Sequence, residues 1–214
     1  MIKQGALLIR AFRAFRREFQ VLATTFAVLL ILPIIAALAL ANAPIQAVSD
    51  AVAWINPTSH EVEYKDKSGT VHKLQAETAW PAKGYVSDEY GTHQEWRKNL
   101  GLGPHSGIDI ASFDGKVNSP VTPFMAGAVF YVDKIDNGHC GKGVMLTHPH
   151  GITSLYCHLG KVVDYSQGAK VKPGDIIGYM GRSGTSTGPH VHLTIRVAGL
   201  LVDPRVFLVG EPPQ

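Results

Sequence analysis

The pattern of hydrophobic positions divides the chain into two parts with different periodicities. Residues 21–41 form an apolar run without a charged side chain, relieved only by two threonines and Pro33. A helix of that length spans about 31 Å, which matches the hydrocarbon core of a bilayer. From about Trp80 onward, apolar residues occur in short runs rich in β-branched and aromatic side chains, separated by Gly, Pro, Asp and Asn. This second pattern predicts an all-β domain of short antiparallel strands.

Six runs in the second part are predicted as strands. They are Gly107–Ala111, Ala128–Ile135, Gly143–Thr147, Ile152–Cys157, Ile176–Met180 and His190–Val197. Two shorter runs between residues 61 and 74 flank a turn at Asp66–Gly69 and predict a small β-hairpin. The predicted organisation is a cytoplasmic basic tail at 1–20, a transmembrane signal-anchor at 21–41, a linker with the small hairpin at 42–79, and a folded domain at 80–210.

The charge distribution agrees with a membrane anchor and gives no reason to expect nucleic acid as a partner. The formal net charge is +3, but residues 1–20 carry +4 and leave −1 for the rest of the chain. The arginines before the apolar run place the N-terminus in the cytoplasm by the positive-inside rule. A cleaved signal peptide is the alternative, because residues 41–43 resemble a cleavage site. We therefore predict a single-pass protein of the cytoplasmic (inner) membrane whose domain is periplasmic or extracellular.

Export of the domain also affects what is expected of its two cysteines, Cys140 and Cys157. In an oxidising compartment an even pair is more often bridged than free. The segment between them is predicted as a hairpin, and the cysteines lie near its opposite ends, where a bridge has a suitable separation. The sequence therefore predicts a disulfide, with two buried free thiols as the alternative.

Candidate chemistry begins with His190 and His192. Because side chains alternate along a strand, both imidazoles project from the same face. His105 and Asp109 form a second cluster, in which Asp109 lies between two isoleucines of a predicted buried strand. A carboxylate there is costly to bury unless it meets a cation or a metal. Two imidazoles and one carboxylate are a ligand set of catalytic zinc, with a fourth position left to water.

A third element is the run Tyr156–Leu159. Alternation predicts that Ser154, Tyr156 and His158 share one face of the strand, with Cys157 behind it. A histidine that lies beside a metal without binding it can act as a general base or stabilise an oxyanion. A satisfied structural histidine is the alternative for His158.

Residues from about 80 to 208 resemble the lysostaphin-type zinc endopeptidases, the LytM-like or M23 peptidases that cut peptidoglycan. The resemblance rests on His105 and Asp109 with three residues between them, on Tyr156–Leu159 and on Gly181–His192. The turn Lys172–Asp175 and the pair Asp203–Pro204 support it. The fold that it implies is an antiparallel β-sheet groove with the metal on its floor.

The resemblance also implies roles for individual residues. His105, Asp109 and His192 match the zinc ligands, so that one zinc ion is expected per chain. His158 and His190 match the two histidines that assist water attack and stabilise the transition state. The implied function is a membrane-anchored zinc endopeptidase that acts on peptidoglycan peptides, with residues 21–41 in the cytoplasmic membrane and a further envelope partner unidentified.

Departures from the family pattern leave other functions open. Leu193 and Thr194 stand where the family commonly has an aromatic residue and Glu, and His93–Pro104 replaces the usual loop before the first ligand, so the groove wall there is not predictable. A catalytically silent module that binds the wall or activates another hydrolase is one alternative. A D-Ala-D-Ala carboxypeptidase of the related superfamily is another, although its first His and Asp are spaced more widely.

His148 is predicted to be structural, and the remaining histidines are predicted at the surface or in loops: His60, His72, His93, His139 and His150.

Overall fold

The computed structural model describes residues 18, 20, 22, 25, 26, 28–35, 39, 43–56, 59 and 61–214. It divides into one unit up to Ala43 and a second from Pro44 to Gln214. In the first unit, residues 28–35 are helical and their side chains are exposed. Among the described residues, no helix has both the length and the apolar character needed to cross a membrane. The predicted anchor at 21–41 lies partly outside the described residues, as does nearly all of the tail at 1–20.

The second unit begins with a helix and a small sheet in the segment that the sequence predicts as a linker. Helix α1 (Ile45–Val52) leads into strands β1 (Ala53–Ile55), β2 (Val62–Lys65) and β3 (Val71–Lys73), which pair antiparallel in that order. Val52, Ala53 and Tyr64 are buried in the same apolar core as the main domain. The predicted small hairpin is present as β2 and β3, but the segment is more than a linker, because apolar side chains of α1, β1 and β2 pack into the core of the domain.

The main domain is built almost entirely from short strands. Its strands are β4 (Tyr85–Asp88), β5 (Ile108–Ala111), β6 (Pro120–Val121), β7 (Gly127–Asp133), β8 (Gly143–Thr147), β9 (Ile152–Cys157), β10 (Leu159–Val162), β11 (Lys170–Val171), β12 (Gly178–Met180), β13 (His190–Val197) and β14 (Leu200–Val202). Its helical pieces are α2 (Glu95–Asn99) and two 3₁₀ turns, Pro149–Gly151 and Pro204–Val206. The prediction of a mainly antiparallel β-domain is confirmed.

Two sheets make up this domain. The larger has the order β11-β7-β8-β9-β13-β5-β4, with β14 paired to β13 as an eighth strand, and the smaller has the order β10-β12-β6. All of their pairings are antiparallel. Strand β13 is central to the larger sheet, because it pairs with β9, β5 and β14. It is therefore the element on which a site can be positioned most rigidly.

Alternation along β13 separates the core from the site. Val191, Leu193, Ile195 and Val197 are fully buried in the apolar core. Burial of one such side chain contributes about 1.5–3 kcal/mol, and a register slip of one residue would turn all four away from the core. The register of β13 is thus fixed by its apolar face, and the same register determines which polar side chains occupy the opposite face.

Candidate metal centre

Three candidate ligands from separate parts of the sequence meet on the polar face of β13. In the pairing of β13 with β5, His192 lies directly opposite Asp109, and His105 enters from the loop before β5 with no exposed surface. His105 Nε2 is 3.1 Å from Asp109 Oδ1 and 2.9 Å from His192 Nδ1, and the last two atoms are 2.7 Å apart. Among the residues that the structure describes, this is the group of His, Cys, Asp or Glu side chains arranged to hold a metal ion.

The outer nitrogens of both rings are already engaged. His105 Nδ1 donates to the carbonyl oxygen of Glu89 at 2.9 Å, so its Nε2 presents a lone pair in the neutral ring. His192 Nε2 is 2.9 Å from Thr194 Oγ1, a hydroxyl that can accept or donate. Partners of this kind set the tautomer and the orientation of a metal-binding histidine.

This donor set fits a zinc ion. A proton on His192 Nδ1 satisfies Asp109 but leaves His105 Nε2 and Asp109 Oδ1 facing each other with no hydrogen between them. A cation satisfies all three atoms at once. Tetrahedral zinc with bonds of about 2.0–2.1 Å separates its ligand atoms by about 3.3 Å. The triangle formed by His105 Nε2, Asp109 Oδ1 and His192 Nδ1 would therefore need each edge to lengthen by about 0.2–0.6 Å.

The electrostatics of the triangle agree with a cation site. Burial is the largest influence on Asp109 and raises its pKa, but hydrogen bonds and charge from His105 and His192 outweigh it and hold that pKa well below its usual range. Burial lowers the pKa of His192, against the opposing effect of its hydrogen bond to Asp109. The carboxylate is therefore ionised and the His192 ring favours its neutral form, which are the states that bind metal.

Two further histidines lie beside the triangle. His190 Nε2 is 3.5 Å from Asp109 Oδ2, and the ring centroids of His190 and His158 are 4.7 Å apart. Each ring donates through Nδ1 to a carbonyl oxygen, His190 to Gly188 at 2.8 Å and His158 to Ser183 at 2.9 Å. In both neutral rings the Nε2 atom therefore carries the lone pair and is available to accept a proton.

Ser154 and Tyr156 share one face of the strand, as predicted, but the prediction that His158 joins them is wrong. Tyr156 lies opposite Leu193 in the register and is buried in the core, whereas Cys157 lies opposite His192 and lines the groove. His158 follows with a left-handed backbone (φ 63°), which interrupts the alternation after Cys157. This turn brings His158 into the groove on the same side as Cys157.

The position of His158 is held by the disulfide. Cys140 and Cys157 are bonded, which confirms the predicted bridge. The backbone N–H of His158 donates to the Cys140 carbonyl at 2.9 Å. Burial, together with the nearby His190, lowers the pKa of His158 to about 4. The ring is thus neutral at physiological pH and oriented at both its backbone and its Nδ1 atom.

Comparison with known proteins identifies the family of the domain that carries this arrangement. Residues 103–204 match the model of peptidase family M23. The chain contains a peptidase family M23 domain. A curated relative of the domain, the DD-carboxypeptidase/endopeptidase Mpg of Neisseria meningitidis, is 37% identical over 108 residues, which are 50% of this chain and 24% of the relative.

Two more similarities extend over a larger share of the chain. The peptidoglycan DD-endopeptidase ShyA of Vibrio cholerae is 27% identical over 138 residues, which are 64% of this chain and 31% of that protein. The crystal structure of a zinc-containing peptidase from Vibrio cholerae aligns with a TM-score of 0.55 and 22% identity, and covers 73% of this chain and 48% of that one. The latter similarity shows the fold. The chain spans only about a quarter to a third of the length of these curated relatives.

A groove beside the triangle forms the accessible part of the candidate site. Its volume is about 410 Å³. The lining comprises Trp96, Arg97, Leu102, Gly103, Pro104, Ser106, His139, Cys140, Leu155, Cys157, His158, Thr185, His192, Thr194 and Arg196. One wall is thus formed by the segment 93–104, for which sequence analysis made no prediction.

The sequence gives no indication that two residues, one in the groove and one behind it, belong to the site. Asp88 is buried and its Oδ2 lies 3.5 Å from His105 Nδ1, but nothing in its local sequence marks it as part of a site. His139, predicted as a surface or loop residue, is exposed, but it also lines the groove and contacts Thr185 Oγ1 at 3.1 Å.

The other histidines lie away from the groove. His148 is buried and bonds to Ala126 and Ser154, which is a structural arrangement. His72 is partly buried and stacks on the exposed His150, with ring centroids 4.8 Å apart. His93 is exposed. His60 lies outside the described residues.

Proposed function

We propose that this protein is a zinc-dependent endopeptidase that hydrolyses peptide bonds of peptidoglycan, in stem peptides or cross-links, outside the cytoplasmic membrane. The observation that carries the proposal is the convergence of two imidazole nitrogens and one carboxylate oxygen within 3.1 Å of each other at a groove. The M23 domain and the activities named for its relatives support the substrate class. A zinc ion bound there would supply a Lewis acid and lower the pKa of a bound water.

The residues of the chain supply the proton transfers. His158 and His190 both have a free Nε2 lone pair and stand beside the triangle without belonging to it. One of them accepts a proton from the attacking water through Nε2, and the proton then passes to the leaving amine. The other ring donates a hydrogen bond to the developing oxyanion after its Nε2 has taken up a proton from solvent. Their fixed Nδ1 bonds keep both rings oriented during these steps.

The groove supplies the substrate contacts. On β13, His192, Thr194 and Arg196 lie along one face, two residues apart at about 3.3 Å per residue. An extended peptide laid along this face brings one of its bonds next to the triangle. The groove is open and its lining mixes apolar side chains such as Leu102 and Leu155 with polar ones such as Thr194 and Arg196, which suits an extended peptide with both kinds of group.

The test is a comparison of single variants of the full chain for zinc content and for release of peptides from purified peptidoglycan, identified by mass spectrometry. We expect His105→Ala and Asp109→Ala to lose both zinc and turnover. We expect His158→Ala to keep stoichiometric zinc and to lose at least 100-fold in turnover, a typical loss for a general base. His72→Ala, a histidine of β3 outside the groove, is the matched control and should retain both.

Two results would contradict the proposal. Unchanged activity in a preparation free of zinc would exclude the metal. Stoichiometric zinc without any cleavage of wall peptides by the wild type would instead support the catalytically silent module of the same fold.

We also propose that residues 21–41 anchor the chain, with residues 1–20 in the cytoplasm. The uncharged run and the preceding arginines support this orientation. Protease added to spheroplasts should then degrade the M23 domain while a tag at the N-terminus stays protected. Release of a shortened chain into the soluble fraction would favour the cleaved signal peptide.

A further inference from the structure

The short helix α2 contributes an aromatic and a cationic side chain to the groove wall. Trp96 and Arg97 both line the groove that contains His158 and His192. The Arg97 guanidinium lies over the Trp96 ring, with Cζ 4.7 Å from the ring centroid. Stacking of this kind holds the plane of a guanidinium without using its N–H groups.

Arg97 is anchored from behind by a buried carboxylate. Its Nε is 3.6 Å from Asp88 Oδ2, and only 13% of the Arg97 side chain is exposed. The other oxygen of Asp88 accepts hydrogen bonds from Thr92 Oγ1 and from Gln94 Nε2 at 2.9 Å. Gln94 in turn accepts from Trp96 Nε1 at 2.7 Å. The network therefore fixes both side chains that α2 presents to the groove.

The guanidinium nevertheless keeps its hydrogen-bonding capacity. Across the described part of the chain, Arg97 makes an ion pair and a ring contact but no side-chain hydrogen bond, and its buried Nε faces Asp88 without a hydrogen bond. A guanidinium has five N–H donors in a planar fork that matches a carboxylate. The N–H donors on Nη1 and Nη2 have no hydrogen-bond partner among the described residues and are not buried, so they are available to a ligand in the groove.

The location is close to the reacting centre. The same oxygen of Asp88 that faces Arg97 Nε lies 3.5 Å from Nδ1 of His105, the candidate metal ligand. The described lining of the groove also contains a second arginine, Arg196, and no Asp or Glu. A negatively charged group on a bound peptide would thus meet positive charge near the triangle and no like charge on the walls.

We propose that Arg97 binds a free carboxylate of the substrate next to the scissile bond, so that the groove selects acidic peptides over their amidated counterparts. This inference rests on the proposed function and assigns a substrate feature to that site. If Arg97 merely neutralised Asp88, its replacement would weaken all substrates equally. A binding role instead predicts a loss confined to substrates that carry the carboxylate.

The experiment compares two synthetic wall peptides that are identical except that the carboxylates flanking the scissile bond are free in one and amidated in the other. The zinc-loaded full chain is assayed for kcat/KM on both. Reduced-amide versions, which cannot be cleaved, provide Kd values by calorimetry. We expect the wild type to prefer the free carboxylate by at least about tenfold in both measurements, the size of a charge-assisted bidentate pair.

Three variants test whether Arg97 is responsible for the preference for the free carboxylate. Arg97→Gln should abolish it through a loss on the carboxylate peptide alone, and Arg97→Lys, which keeps the charge beside Asp88, should retain only part of it. Lys98→Gln is the matched control, because it removes the same charge from the next residue, whose ammonium group pairs with Glu95 at 2.7 Å. This control should keep the full preference. Melting temperature and zinc content verify that each variant is folded.

The outcomes separate this inference from the proposed function. Equal kcat/KM and equal Kd for the two peptides in the wild type would overturn the role of Arg97 while cleavage itself upheld the endopeptidase. Tighter binding of the free carboxylate without cleavage of either peptide would overturn the endopeptidase and retain the role of Arg97. An equal loss on both peptides in Arg97→Gln would reassign Arg97 to the support of Asp88. If Arg97→Gln does not fold, the wild-type pair and Arg97→Lys decide the question.

Discussion

Removal of the disulfide should destabilise the domain by an amount that follows from the length of the loop it closes. Cys140 and Cys157 are 17 residues apart in the sequence. Closure of a loop of that length removes about 10 cal/mol/K from the entropy of the unfolded chain, or about 3 kcal/mol at 25 °C. For a domain of this size the loss corresponds to a decrease in melting temperature of about 6–12 °C. The variant of choice is Cys140→Ala/Cys157→Ala, because alanine leaves no unpaired hydroxyl at the buried position 157.

The same variant should reduce turnover while the zinc site stays intact. The backbone of His158 is bonded to the carbonyl of Cys140, and its ring is bonded to Ser183. Loss of the bridge frees the first of these anchors but touches none of the three candidate ligands. We therefore expect kcat to fall about tenfold with an unchanged zinc stoichiometry, since a small misplacement of a catalytic group is costly.

Urea unfolding and peptide release, each with and without dithiothreitol, measure both effects. The wild type in reductant should match the double alanine variant, and the variant should not respond to reductant. A loss of stability below about 1 kcal/mol, or zinc loss in step with activity, would refute the reasoning. The first result would mean that the unfolded chain is already compact in this loop. The second would mean that the bridge supports the metal ligands themselves.

Three further predictions concern the site, the core and the metal. Gly107→Ala should lower the free energy of unfolding by about 1–3 kcal/mol and reduce zinc occupancy, because an added Cβ would lie 2.2 Å from the Leu193 carbonyl oxygen. Gly103→Ala is the control, since an added Cβ there meets nothing within 4 Å. Thermal melts and metal analysis compare the two variants, and equal effects would contradict the predicted clash. Burial lowers the pKa of His148 from 6.5, so the unfolded chain binds its proton more readily and stability should fall as the pH decreases below about 6.5. His148→Gln should flatten this dependence in urea titrations, and parallel slopes would count against it. Zinc at 100 times its Kd should stabilise the wild type by about 2.7 kcal/mol over chelated protein, with no shift in Asp109→Asn; a shift in that variant would place the metal elsewhere.

Local sequence patterns predicted much of the strand content. The runs Gly143–Thr147, Ile152–Cys157 and His190–Val197 coincide with observed strands, because their apolar residues and flanking turns are both local signals. Other predicted runs differ from the observed strands by one to a few residues, as at β12, which begins at Gly178 and not at Ile176. The segment 42–79 was harder to assign, because its order depends on docking Val52 and Tyr64 against a distant core.

The groove wall illustrates why part of the site was not predictable. Asp88 and Arg97 carry no local motif, and their pairing depends on how the loop before His105 folds back on β4. His158 differs from Asp88 and Arg97, because a local motif marks it as a site residue but strand alternation predicts the wrong face for its side chain. A single left-handed residue after a strand changes the direction of a side chain, and no two-residue periodicity can indicate it.

The amino-acid sequence is sufficient to show that His190 and His192 project from one face of a strand. Their two-residue spacing requires no tertiary information, because the pleat of a strand has that period. The folded chain is needed to show that Asp109 lies opposite His192, that His105 closes the triangle, and that Arg97 reaches the groove. Those relations depend on strand register and loop conformation, which are set by the packing of side chains far apart in the sequence.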